Sequence, residues 1–259
     1  MTGLAPCLSH SISCLLQHYL SLPNPLTITL YLSGYHGLLM RQSIVLNDRT
    51  MIKEYSDAIF GLGGSVIGNS RVKLTNVEDC VKRGFVQVGE DPLTRACEIL
   101  SEDGIDVLHT IGGDDTSTQA AEIARRLKVK GYDLTVVGLP KTIDCDVHPV
   151  KLTLGATSAA IHTGNYFSHV VNESTASVRT LIVHEVMGRD CGYLTAKSAY
   201  FYRRQLRNAF KPVPFAKHNI EAYDIHGVYI PEVPVDFKTE SIRLRNVMDS
   251  KFSHPPPHP

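Results

Sequence analysis

Three polar clusters each follow a short apolar run, and their residue types suit phosphate chemistry. Residues 112–117 read Gly-Gly-Asp-Asp-Thr-Ser at the predicted start of a helix. Glycines let the backbone approach a ligand, a helix N-terminus offers free N–H groups to phosphate, and a carboxylate there suits a metal that bridges to phosphate oxygens. The alternative is an ordinary capped helix, because aspartate is favoured in a first helical turn.

The second cluster, residues 140–146, reads Pro-Lys-Thr-Ile-Asp-Cys-Asp and combines one ammonium with two carboxylates. Asp144 and Asp146 alternate, so on an extended segment they face the same way. A carboxylate can accept the proton of an attacking hydroxyl, and a lysine can stabilise charge on a phosphoryl donor. A polar turn with a local ion pair is the alternative interpretation.

The third cluster and one additional segment each carry an arginine that could hold phosphate. Met-Gly-Arg at 187–189 follows an apolar run. An arginine at the end of a strand can bind phosphate through two N–H groups of its guanidinium. The glycine-rich segment 63–71 ends in Arg71. The alternative for 187–189 is an arginine that binds helix or loop carbonyls. The alternative for 63–71 is a flexible surface loop.

The elements that must position these clusters follow from hydrophobic periodicity. Apolar runs that alternate with helical patterns predict an α/β fold with a doubly wound parallel sheet, in which ligands bind beyond the carboxyl ends of the strands. We expect the polar clusters at three strand ends to form one site. The predicted strands are 26–32, 105–111, 134–139, 180–186 and 225–230, and the predicted helices are 8–19, 116–130, 152–171, 192–207 and 239–248.

Bulk composition excludes several classes of partner. The formal net charge is zero, so no global field attracts nucleic acid or an acidic membrane, and no apolar run approaches the roughly 20 residues that span a bilayer. The six cysteines form no Cys-x-x-Cys pair, which predicts a reduced, cytoplasmic protein without a zinc site. We expect the Pro/His-rich residues 249–259 to be a disordered tail.

In order and spacing these segments resemble the phosphofructokinase family, specifically its pyrophosphate-dependent branch, over about Gly3 to Met248. In ATP-dependent members the positions of Asp115 and Lys141 are typically glycine. The charges agree with that difference, because a carboxylate at 115 would crowd and repel a nucleotide α-phosphate. An ammonium at 141 would supply charge to a donor that lacks a nucleoside.

The resemblance implies reversible, Mg²⁺-dependent transfer of phosphoryl from pyrophosphate to the 1-hydroxyl of fructose 6-phosphate. It assigns Asp144 as the base that accepts the hydroxyl proton and Asp114 as the metal-associated carboxylate. Its further catalytic residues are Lys141, Thr142 and Asp146, and its donor-phosphate contacts are Gly3, Arg71, Gly113 and Asp115. Its sugar-phosphate contacts are Arg179, Met187, Gly188, Arg189 and Glu232. A reach of Arg179 into a neighbouring subunit implies a homo-oligomer, a dimer or larger.

The chain also departs from the family pattern. Cys145 replaces an asparagine, Thr2-Gly3 replaces Gly-Gly, and a strand that normally precedes this turn is missing. We therefore expect a chain truncated at both ends, with a donor-phosphate domain in 1–150 and an incomplete sugar-phosphate domain in 151–248. The alternatives are a catalytically weak subunit or binding module that needs a full-length partner, an ATP-dependent phosphofructokinase, and a lipid or nicotinamide-nucleotide kinase with a similar Gly-Gly-Asp turn.

Overall fold

The computed structural model of the protein describes residues 7–24, 26–174, 180–211 and 220–252. The chain divides into two compact units, Met1–Thr142 with Thr153–Gly155 and Ile143–Leu152 with Ala156–Pro259. The two ligand-binding roles expected for 1–150 and 151–248 stay predictions. Within the described residues, no helix is both long and apolar enough to cross a bilayer.

The first unit alternates helices with short strands. Helix α3, Arg49–Ile59, begins where the Asp48 carboxylate accepts a hydrogen bond of 2.9 Å from the Met51 N–H. Helix α5 begins with a proline, which suits a first helical position because its missing N–H would have no partner there. In chain order the elements are α1 Leu8–Ser21, β1 Ile28–Tyr31, α2 Tyr35–Leu39, β2 Ser43–Leu46, α3 Arg49–Ile59, α4 Val77–Lys82, α5 Pro92–Glu102, β3 Val107–Gly112, α6 Asp114–Val129 and β4 Thr135–Pro140.

The strands of this unit form two pairs. β1 and β2 are antiparallel, with Ile28 opposite Leu46. β3 and β4 are parallel and joined by helix α6, with Val107 opposite Thr135 and Gly112 opposite Pro140. The predicted strand–helix–strand unit is therefore confirmed, and the parallel pair brings the carboxyl ends of both strands to the same edge.

Two apolar clusters hold the first unit together. One joins α5 and α6 through side chains such as Leu100 and Ile123, which are fully buried. The other packs Leu8 of α1 and Ile52 of α3 beneath Ile111 of β3. Because full burial of one such side chain contributes about 1.5–3 kcal/mol, these clusters fix the frame on which β3, β4 and α6 present their polar ends.

The second unit contains helices and loops, and no strand, in its described residues. Helices α7 (Ala156–Ser174) and α8 (Tyr193–Ala209) approach closely at Gly164, where an added Cβ would lie 3.2 Å from both the Ser198 carbonyl oxygen and the Tyr202 nitrogen. The elements are α7 Ala156–Ser174, α8 Tyr193–Ala209, a 3₁₀ helix Ile220–Ala222 and α9 Phe237–Phe252. Because α9 continues four residues past its predicted end at Met248, residues 249–252 of the predicted tail are helical, and residues 253–259 lie outside the described part.

The predicted strands 180–186 and 225–230 are wrong, since neither segment is a strand in the part of the chain that the structure describes. Neither segment has a described neighbour with which to form a ladder, and hydrogen bonding across a ladder is what makes a strand. In the first segment Leu181 is 62% exposed and Val183 86% exposed. The segment therefore packs on one side only, where His184 contacts the rings of Tyr166 and Phe167 in α7, while Leu181 and Val183 face solvent.

Candidate functional site

The carboxyl ends of β3 and β4 bring two of the predicted clusters together. The Lys141 N–H donates a 2.7 Å hydrogen bond to the Gly112 carbonyl, which extends the ladder by one residue beyond the strand ends. The Gly113 turn and Lys141 therefore lie side by side at the edge where parallel sheets bind ligands.

Helix α6 begins at this edge with an acidic first turn. Gly113 occupies the N-cap position, and a Cβ added there would have no other atom within 4 Å. Asp114 and Asp115 follow as the first two helical residues. The first helical N–H groups have no partner within their own helix, and the helix dipole favours an anion near them. The two exposed carboxylates compete with that anion unless a cation compensates their charge.

Asp115 has such a cation. Its Oδ2 lies 2.7 Å from Lys73 Nζ, and both side chains are more than half exposed. The buried Gln119, 3% exposed, connects the same two segments: its Nε2 donates to the Asp115 carbonyl at 2.7 Å and its Oε1 accepts from the Leu74 N–H. Arg71 lies two residues before Lys73 and is exposed, so the predicted donor-phosphate residues Arg71 and Asp115 belong to adjoining segments.

Lys141 is half-buried, and burial lowers the pKa of its ammonium, an effect that the Cys7 thiol partly opposes. The described residues offer this ammonium no hydrogen-bond acceptor and no carboxylate. The backbone around it is fixed, because the Thr153 Oγ1 donates to the Thr142 carbonyl at 2.6 Å and the Leu154 N–H to the Pro140 carbonyl at 2.8 Å. A desolvated, well-positioned cation without an anionic partner is suited to bind an anion.

Asp114 is the residue of this unit that could hold a metal. It is exposed, and its carboxylate has no ion pair with another described side chain. Across the described ranges, no group of three or more His, Cys, Asp and Glu side chains converges. That donor set fits Mg²⁺, which binds through one or two carboxylates together with phosphate oxygens and waters and needs no cage made of protein alone.

In the second unit, Asp144 and Arg189 come together from separate predicted clusters. The Arg189 Nη2 lies 4.0 Å from the Asp144 Oδ2. The Asp144 side chain is 16% exposed and that of Arg189 81% exposed, so a largely buried carboxylate lies next to a solvent-facing cation. Asp146 is exposed nearby in the sequence, with no ion pair to another described residue.

The Met-Gly-Arg segment is a tight turn that requires its glycine. Gly188 has φ +150°, and an added Cβ would lie 2.3 Å from the Cys191 carbonyl oxygen. Arg189 is itself in the left-handed region at φ +48°, and Met187 is 70% exposed. The turn therefore presents Met187 and Arg189 to solvent beside Asp144, an arrangement that leaves both side chains available to a ligand.

Glu232 lies next to this turn and has a structural partner. Its Oε1 accepts a 2.7 Å hydrogen bond from the Gly192 N–H at the start of α8, so it caps that helix. The predicted contact of Glu232 with sugar hydroxyls stays a prediction, as do the roles of the other site residues. Gly3 and Arg179 lie outside the described residues.

Lys73 and Gln119 are site residues that the sequence patterns do not single out. Lys73 is an exposed lysine between the buried core residues Val72 and Leu74, and Gln119 has the spacing of an ordinary core position in α6. The available signal is that Gln119 follows Asp115 by one helical turn, which places both on one face of the helix.

Comparison with known proteins decides the family. The phosphofructokinase family model matches residues 1–206. The chain belongs to the phosphofructokinase family. The predicted family membership and the α/β, phosphofructokinase-like fold are thereby confirmed.

Relatives in this family differ in the donor that their names state. The chain is 51% identical over 247 residues to the pyrophosphate–fructose 6-phosphate 1-phosphotransferase of Mastigamoeba balamuthi, covering 95% of this chain and 60% of that protein. A relative named ATP-dependent 6-phosphofructokinase, from Amycolatopsis methanolica, is 29% identical over 61% of this chain and 31% of its own length. The chain therefore spans about 60% of the length of the pyrophosphate-dependent relative, and it is more similar to that relative than to the ATP-dependent one.

A solved structure shares the fold. The pyrophosphate-dependent phosphofructokinase of Marinobacter aquaeolei matches with a TM-score of 0.65 and 17% sequence identity, over 96% of this chain and 56% of that one. At that identity the likeness establishes the fold alone.

Proposed function

We propose that this phosphofructokinase-family chain transfers phosphoryl from inorganic pyrophosphate to the 1-hydroxyl of fructose 6-phosphate, giving fructose 1,6-bisphosphate and phosphate. The observation that carries the proposal is the half-buried Lys141 ammonium, which has no anionic partner among the described residues and lies beside the Gly113 turn. A positioned cation of this kind suits a small, highly charged donor.

On the donor side, each residue has a chemical task that its environment supports. Lys141 and Arg71 bind and orient the diphosphate, and the open Gly113 turn lets its oxygens approach the start of α6. Asp115 occupies the space into which a nucleotide α-phosphate would extend. A donor with only two phosphates therefore fits the site, which favours pyrophosphate over ATP.

Mg²⁺, with Asp114 as its protein ligand, supplies neutralisation of charge on the bound phosphates. One carboxylate is enough for this purpose, because phosphate oxygens and waters complete the shell of a bound magnesium ion. The remaining steps belong to the protein's own side chains.

On the acceptor side, Asp144 accepts the proton of the sugar 1-hydroxyl as that oxygen attacks phosphorus. Arg189, whose Nη2 lies 4.0 Å from the Asp144 Oδ2, contacts the sugar phosphate beside this carboxylate. Thr142 and Asp146 flank the transferring group, while Met187, Gly188 and Glu232 contact the sugar phosphate. Because pyrophosphate has a modest transfer potential, we expect the reaction to run in either direction.

Two wider features accompany this proposal. The role of Arg179 at a neighbouring subunit's sugar phosphate calls for a homo-oligomer, a dimer or larger. All six cysteines are free thiols, which is typical of a reducing compartment and supports a cytoplasmic location.

The test is a pair of carboxylate variants of the purified chain, assayed with pyrophosphate, fructose 6-phosphate and Mg²⁺. We expect Asp144→Asn to lower kcat by about 10²–10⁴-fold, the usual contribution of a general base. The control is Asp57→Asn, which removes an exposed carboxylate paired with Lys53 in α3 and should leave kcat unchanged. Equal turnover of Asp144→Asn and wild type would remove Asp144 from the mechanism.

A further inference from the structure

Asp115 poses an electrostatic problem for a pyrophosphate site. A bare carboxylate there would repel the α-phosphate of a nucleotide, but it would also repel pyrophosphate, which carries at least three negative charges near neutral pH. Charge alone therefore cannot let Asp115 exclude one donor and admit the other. Another group must compensate the carboxylate while leaving its bulk in place.

The structure provides that group in Lys73. Its Nζ lies 2.7 Å from the Asp115 Oδ2, a distance typical of a charge-assisted hydrogen bond. The pair is 54% and 64% exposed, and exposed ion pairs contribute little to folding stability. The pair stands at the first turn of α6, at the same edge as the Gly113 turn and Lys141.

Gln119 links the two backbone segments that carry Lys73 and Asp115. Its amide oxygen accepts from the Leu74 N–H, directly after Lys73, and its amide nitrogen donates to the carbonyl of Asp115. Since Gln119 is buried and uses both ends of its amide, the backbones on which Lys73 and Asp115 stand cannot shift apart without breaking a buried hydrogen bond. The ion pair is thus supported by a rigid link beneath it.

We propose that Lys73 is a specificity-determining residue that neutralises Asp115, so that Asp115 excludes a nucleotide by its bulk while pyrophosphate still binds. This inference rests on the proposed pyrophosphate-dependent function. Because Lys73 forms the ion pair with Asp115, the charges of Arg71 and Lys141 remain available to the donor.

The direct test is the dissociation constant of magnesium pyrophosphate, measured calorimetrically on the full chain. Loss of one unit charge a few ångströms from the ligand in a solvent-exposed site weakens binding roughly five- to tenfold, which is the change expected for Lys73→Met. In the double variant Lys73→Met/Asp115→Asn both charges are gone, and the dissociation constant should return to within about twofold of wild type.

A matched control comes from α3, where Lys53 and Asp57 form an ion pair of 2.6 Å with exposures of 70% and 55%. Lys53→Met removes an equally exposed pair at a distance from the donor edge, and it should leave pyrophosphate binding unchanged. Lys73→Arg, which keeps the charge, should restore most of the affinity that Lys73→Met loses.

Two results would overturn the inference. If Lys73→Met binds pyrophosphate as tightly as wild type, the ion pair has no part in donor binding. If Asp115→Asn fails to rescue Lys73→Met, Lys73 contacts the donor itself and does not act through Asp115. The proposed function fails differently, since it is refuted by a wild-type chain that transfers phosphoryl from ATP and not from pyrophosphate.

Discussion

Replacing Lys141 by methionine should make the protein more stable and less active. Methionine has a similar length and no charge, so the change removes the ammonium and keeps the packing. Two unit charges 4 Å apart interact by about 1 kcal/mol in bulk water and about 4 kcal/mol near a protein surface. A half-buried lysine falls between these limits, so we expect a loss of about 2–3 kcal/mol, or about 30- to 150-fold in kcat/KM for pyrophosphate.

The stability effect has the opposite sign because burial lowers the pKa of Lys141 below its ordinary value of 10.5. At neutral pH the charged form of Lys141 is therefore less stable in the folded protein than in the unfolded chain. Removing the charge should stabilise the fold, which a higher midpoint of urea unfolding would show. The gain should shrink as the pH rises from the lowered pKa towards 10.5, because wild-type Lys141 then loses its proton in the folded state.

The assay pairs steady-state kinetics with urea unfolding of Lys141→Met, wild type and Lys128→Met. Lys128 is an exposed lysine in the last turn of α6, and its replacement should change neither kcat/KM nor the midpoint by much. The reasoning is refuted if Lys141→Met keeps wild-type kcat/KM for pyrophosphate. It is also refuted if the variant is less stable than wild type, since the ammonium would then have a stabilising partner.

Two further predictions concern stability. Cys145 has φ +58°, a region that asparagine tolerates better than other side chains, so Cys145→Asn should stabilise the fold by about 0.5 kcal/mol and Cys145→Val should destabilise it by more than 1 kcal/mol in urea unfolding. Equal stability of the two variants would contradict this. Burial alone would raise the pKa of Asp91, but hydrogen bonds from Arg126 and Thr94 outweigh it and lower the pKa below 3.8. Asp91→Ala should therefore cost about 1–2 kcal/mol at pH 7, a difference that disappears as the pH falls through the lowered pKa. A cost that is independent of pH between 7 and 2 would show that the carboxylate charge is irrelevant.

Local patterns in the sequence predict well the elements that carry the Gly113 turn and Lys141. The apolar run before Gly112 and the helical spacing after Asp114 define β3 and α6, and the second run ends at Pro140 as predicted. These elements depend on neighbours within about 30 residues. The strand–helix–strand order therefore places Lys141 beside the Gly113 turn before any long-range contact is known.

The rest depends on contacts that periodicity does not encode. Gln119 has the spacing of a core residue, and its role appears only when the segment around Leu74, 45 residues earlier in the chain, packs against α6. The wrong strand at 180–186 has the opposite cause, since an apolar run specifies a strand only where a ladder partner is present. The capping of α8 by Glu232 is likewise a contact across 40 residues.

The most direct test of the account is the choice of donor. The purified chain is incubated with fructose 6-phosphate, Mg²⁺ and equal concentrations of pyrophosphate and ATP, and the phosphorus signals of both donors are followed by ³¹P NMR. We predict that the pyrophosphate signal is consumed as that of fructose 1,6-bisphosphate appears, while the ATP signals stay constant. Consumption of ATP with pyrophosphate unchanged would contradict the roles given to Asp115 and Lys141.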